Sequence, residues 1–122
     1  MKTTKKQFEI FKKECKKWRE FFGLSNWNIC YLLGDMDGYA AGTVCDFDQH
    51  QAHITLSDYY DFSWSWKPSD LKQYAFHEIC HVVLERIDYI ACARFVQQSE
   101  IDEEIHSLIR MLENVIFKRG LK

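Results

Sequence analysis

The sequence predicts an α+β domain: an N-terminal helix, a three-stranded antiparallel sheet, a central helix and a C-terminal helix. Three observations predict it. Apolar residues recur at alternating steps of three and four through the first twenty-two positions. Three short runs rich in strand formers, separated by turn residues, lie between positions 27 and 57. Two further segments of helical length follow Pro68. The 122 residues fit one domain spanning 1–122, long enough to bury a core without staples.

Phe8, Phe11, Cys15, Trp18 and Phe22 form the stripe of the first helix, from about Lys5 to Phe22, with lysines on its outer face and Gly23 as the stop. Trp27–Leu33 reads as the first strand, with Asp37-Gly38 as a turn after it. Tyr39–Phe47 and Gln51–Ser57 read as the second and third strands. Such tight connections predict an antiparallel meander. The aromatic stretch that follows holds Tyr59, Tyr60, Phe62, Trp64 and Trp66, expected to pack under the loop rather than form a lip over a site.

Pro68, Ser69 and Asp70 announce the central helix, with Ser69 the expected N-cap. It runs to about Ile87, raggedly toward Ala93, and is apolar nearly all round, so it belongs at the centre of the fold. The last helix starts near Glu100 with Ile101, Ile105, Leu108, Leu112 and Val115/Ile116 as its stripe.

Composition excludes several classes. Hydrophobic residues at 47% with a single proline are those of a folded globule, not of a disordered chain. Five cysteines, scattered singly without a CxxC pair, argue against a disulfide framework and for small packing residues in a reducing compartment. No stretch reaches the ~18 apolar residues of a membrane span, and the N-terminus lacks an apolar signal core; a cytoplasmic protein is expected. Net charge is −2, yet residues 1–20 hold eight Lys/Arg against three Glu, which makes them +5 and the remainder −7. A basic helix of this kind could meet nucleic acid; with no base-stacking or base-reading motif beside it, a solvated face is the ordinary reading.

The chemistry concentrates in "YAFHEICHVVLER", Tyr74–Arg86. Residues four apart on a helix project from one face, so His77 and His81 can aim their imidazoles at one ion ~2.0–2.1 Å from each. Glu78, a quarter turn round from His77, stands beside that ion, where a carboxylate can take a proton from water. In a chain of this composition the pattern arises by chance roughly one or two times in a hundred. The alternative, two core histidines bonded to backbone, would bury three polar side chains on an apolar helix at a cost of several kcal/mol.

This HExxH segment with uncharged neighbours, on a helix after a three-stranded sheet and before another helix, resembles the zincin metallopeptidases. The element order is similar to that of their small single-domain members: minimal gluzincins, SprT-like proteins and short peptidase-like proteins of bacteriophages. The resemblance implies Zn2+ held by His77 and His81, Glu78 as general base, and a peptide or protein as substrate. It also implies a strand bordering the cleft that aligns the substrate through backbone hydrogen bonds, and Gln51–Ser57 is the expected one.

A catalytic zinc takes three protein ligands and keeps one position open. The metzincin extension, with its glycine and third histidine, is missing. Glu85 lies about 12 Å from His77 along a regular helix, too far to share its ion. In gluzincins a glutamate of the following helix closes the site, and Glu100, Asp102, Glu103, Glu104 and His106 fall in that range. Glu103 points away from the apolar stripe and Glu100 lies well off it, whereas Asp102, Glu104 and His106 flank it. Glu104 is the expected third ligand and His106 the second choice, since SprT-like sites use a third histidine. His50 and His53 read as surface or strand-packing residues. The expected activity is thus a zinc-dependent hydrolysis of peptide bonds by a small cytosolic peptidase. The rivals are a metal-stabilised binding or accessory protein without turnover, and an SprT-like protease acting on DNA-bound proteins through the basic first helix.

Overall fold

The computed structural model describes residues 1–60, 65–93 and 97–117, and the architecture is α+β. Helix α1 spans Lys5–Phe21, strands β1, β2 and β3 span Asn28–Gly34, Ala41–Asp46 and Gln51–Ser57, and helices α2, α3 and α4 span Pro68–Val83, Glu85–Cys92 and Gln98–Leu112. A π-helical turn, Glu113–Phe117, follows α4.

Local chemistry sets the ends of α1. The Thr4 hydroxyl accepts from the Gln7 N–H (3.1 Å) while the Gln7 side chain accepts from the Thr4 N–H (2.8 Å), a reciprocal capping box. At the other end Gly23 takes φ +68°, so the Leu24 N–H reaches the Arg19 carbonyl and the Gly23 N–H that of Glu20. These two bonds satisfy carbonyls that the helix leaves open, as a left-handed glycine after the cap allows. Phe11 and Cys15 of α1 are fully buried against α2 and the sheet.

The sheet corrects the expected antiparallel meander. Its strand order is β1-β3-β2, with β2 antiparallel to β3 and β1 parallel to it, so the sheet is mixed. Only β2–β3 is a hairpin, turning at Phe47–His50 with His50 at φ +51° and its ring stacked on Trp27 (5.0 Å). Asp37 and Gly38 do turn the chain with positive φ, but the segment they belong to carries it past β3 rather than into a hairpin. Burial gives the reason. Ala52, Ile54 and Leu56 are all 0% exposed, the most apolar inward face of the three strands, and the middle of a sheet is where such a face is best covered. The opposite face is open, with Val44 75% exposed and Cys30 and His53 exposed beside it.

Helix α2 begins with Lys67 as N-cap and Pro68 in its first turn, not with Ser69 as cap. The expected long central helix is broken at Leu84 (φ −90°, ψ 0°), which ends α2 and caps α3. Leu71, Ala75, Ile79 and Val82 put one stripe of α2 into the core with Glu78 beside it. Tyr60 and Trp66 stack at 5.1 Å, and Trp66 is buried, as expected for packing beneath the loop; Tyr59 is exposed, and Phe62 and Trp64 lie outside the described residues. Among the described residues no helix is long and apolar enough to cross a membrane. The five cysteines are free, but Cys15 alone is buried; Cys30 and Cys92 are exposed, so packing does not account for all five.

Candidate metal centre

Two successive turns of α2 carry the histidines, and their rings converge. Nε2 of His77 and Nε2 of His81 stand 3.3 Å apart, with ring planes at 70°. Two nitrogens each ~2.0–2.1 Å from one tetrahedral ion are ~3.3–3.4 Å apart, so the pair already has the bite of a zinc site. Without an ion, the same separation lets one ring donate to the other. Both histidines are exposed, so the alternative of two core histidines, and the burial cost counted against it, does not apply to them; only Glu78, at 6% exposure, is buried. A site open to solvent on the imidazole side and dry on the carboxylate side results.

The carboxylate is held from the neighbouring strand. Thr43 of β2 donates its hydroxyl to Oε1 of Glu78 (2.8 Å), the nearer of two acceptors, the other being the Glu78 carbonyl at 3.3 Å. Sequence reading missed Thr43, since nothing in the local pattern ties a strand threonine to a helix thirty-five positions on. The contact continues along β2. Cys45 lies beside Glu85, and beyond the strand Phe47 stacks on Tyr89 at 4.6 Å. Burial first, and the Glu85 charge next, push the Cys45 thiol up to about 12. Burial likewise raises the Glu85 carboxyl, with Asp88 adding to it and His81 opposing.

This arrangement corrects the strand expected to border the cleft. Gln51–Ser57 is the middle strand, and both its edges are used by β1 and β2. The strand beside Glu78 is β2, which among the described residues has a neighbour on one side only.

The residues expected to close the site from α4 are engaged elsewhere. Oε2 of Glu104 is ion-paired with Nη1 of Arg86 at 3.2 Å, and Arg86 also donates to Ser107 (3.1 Å). Glu104 shares an apolar groove between α3 and α4 with Ile87, Ile90, Ile101 and Ile105. His106 Nδ1 donates to the Asp102 carbonyl (2.8 Å), and the Asp102 carboxylate accepts from Gln98. Glu100 and Glu103 are exposed. Among the described residues, no third His, Cys, Asp or Glu joins the pair in a group that could hold a metal. Glu85, set aside for its distance along a regular helix, starts α3 after the break and faces Cys45.

Comparison with known proteins adds no relative: no family model, curated protein or solved structure matches the chain.

Proposed function

We propose that the chain is a zinc-dependent hydrolase, a small cytosolic metallopeptidase that cleaves peptide bonds. The 3.3 Å approach of the two Nε2 atoms, on solvent-facing rings one helical turn apart, is the observation that carries this reading. His77 and His81 would hold the ion. Zinc, when bound, supplies a Lewis acid that acidifies water and polarises a carbonyl oxygen. Glu78 takes a proton from the attacking water and returns it to the leaving amine. Thr43 fixes the rotamer of that carboxylate, and burial keeps it from swinging into solvent. An extended substrate adds to the free edge of β2. Glu104 serves as third ligand only by exchanging Arg86 for the metal, and Glu104→Ala decides the point: a loss of zinc affinity beyond the ~10- to 100-fold that an outer partner of a ligand costs assigns it, and retained affinity removes it.

The purified protein should take up about one zinc per chain and melt at a higher temperature when loaded. His77→Ala should lose the ion. Glu78→Gln should keep it and lose hydrolysis of an unfolded protein substrate. No uptake and no shift in melting temperature would end the metal reading.

The non-catalytic rival asks for a closed site in which the protein fills the fourth position, and among the described residues only two ligands converge while Glu104 is ion-paired with Arg86. On that reading the loaded protein binds its partner without turnover, and stoichiometric zinc with no hydrolysis would establish it. The DNA-directed variant rests on α1, where Lys13 and Lys17 share an open groove with Lys72 of α2. Tight binding to DNA that weakens steeply with salt is its test.

A further inference from the structure

The sheet has a second free edge, on the side away from β2 and Glu78. Among the described residues, strand β1 pairs only with β3, in parallel register from Asn28↔Gln51 to Gly34↔Ser57. The Asn28 N–H goes to the His50 carbonyl and the Gly34 carbonyl receives the Asp58 N–H. In a parallel ladder the residues turned toward the partner alternate, so Asn28, Cys30, Leu32 and Gly34 face β3. Ile29, Tyr31 and Leu33 therefore turn their N–H and C=O groups outward.

Natural edges are blunted by lysine, proline or a bulge, and β1, "NICYLLG", contains neither residue and pairs without interruption. Leu32 and Leu33 on it are 44% and 40% exposed. Alongside this edge runs an open groove of about 600 Å³, lined by Ile29 and Tyr31 of β1, Ser25 before it, and Lys16, Arg19 and Glu20 of α1. The Tyr31 side chain lines this groove, while its hydroxyl oxygen is shielded from solvent and, among the described residues, has no hydrogen-bond partner. Burial above all raises its pKa to about 12, so it stays an O–H donor. Arg19 is tied through Nη2 to the Ser25 and Trp27 carbonyls (3.2 and 2.8 Å), which fixes its charge at the groove. Lys16 makes no ion pair among the described residues.

We infer that the β1 edge and the adjoining α1 groove form a docking site for an extended acidic peptide, added as a fourth strand with a carboxylate on Lys16. The peptide backbone satisfies the outward N–H and C=O groups of Ile29, Tyr31 and Leu33, and alternate side chains enter the groove. A volume of about 600 Å³ is ample for them. A second copy of the chain is the poorer occupant. Pairing two β1 strands about a two-fold axis sets two α1 helices side by side, each in a segment with eight Lys/Arg against three Glu, and like charges at that separation repel.

The test uses the full chain with a chelator present, so that it stands or falls apart from the metal site. Two labelled hexapeptides, alternating Val-Glu and alternating Val-Lys, are titrated by fluorescence anisotropy, with amide exchange followed by NMR. The Val-Glu peptide should bind saturably and at least tenfold more tightly than the Val-Lys peptide. It should slow exchange of the Ile29, Tyr31 and Leu33 amides and lose at least tenfold in affinity with Lys16→Glu, a surface change that leaves the core intact. The inference is overturned by no saturable binding, by equal affinity for the two peptides, or by affinity unchanged in Lys16→Glu. Protection at β2 in place of β1, or self-association that protects the β1 amides without peptide, overturns it equally.

Discussion

A buried carboxyl group with one side-chain donor among the described residues makes Thr43 the residue on which the site's chemistry is balanced. Glu78 is 6% exposed and the Thr43 hydroxyl is the side-chain donor it has at 2.8 Å. Thr43→Val keeps the shape and removes the donor, leaving a buried carboxyl group without its bond. The expected loss is about 1–3 kcal/mol in urea unfolding, with Thr43→Ser close to the parent. An unchanged midpoint in the valine variant would mean that water replaces the hydroxyl. The histidine spacing and the adjacent glutamate were legible in the sequence because a helix converts a spacing of four into a shared face. Thr43 and the Arg86–Glu104 pair were not, since both join residues far apart in the chain whose approach depends on the fold.

Elements differ in how firmly they are held. Strand β3 buries Ala52, Ile54 and Leu56 completely, whereas α4 buries none of its fifteen residues and packs chiefly on α3. Local opening follows buried apolar contact, so amides of α4 should exchange through openings of clearly lower free energy than those of β3 in native-state hydrogen exchange. Equal protection in both elements would show that α4 opens only with the whole domain. The identities and rough limits of α1, the three strands and α4 could be read from periodicity, and Gln51–Ser57 matches the observed strand end to end. Pairing order could not. A run of strand formers states which face is apolar, not which neighbour it meets, and β1 joined β3 in parallel because β3 had the face most in need of cover. The break at Leu84 was also invisible, because no glycine or proline marks it.

At the scale of the whole molecule, acidic hydrogens buried in the fold set its behaviour in alkali. Burial raises the Cys15 and Cys45 thiols and the Tyr31 hydroxyl, the last two to about 12 from ordinary values of 9.0 and 10.0. Each stays protonated in the folded chain while the unfolded chain has begun to release its proton. The unfolded state then holds fewer protons, so stability falls as pH rises from about 9 toward about 12. Urea midpoints measured across that window should drop steadily, and Cys45→Ala should flatten part of the slope. A flat profile would show that the groups titrate alike in both states.

The Thr43–Glu78 bond also has a consequence for strand alignment. Side chains alternate along β2, so sliding it by a single position would offer Val44 or Gly42 to the carboxylate and turn threonine outward. An apolar strand facing an apolar helix can tolerate such sliding; one that must meet a buried carboxyl group cannot. Glu78 thereby works as a key that admits one alignment of β2, and the group proposed to move protons also fixes the wall beside it.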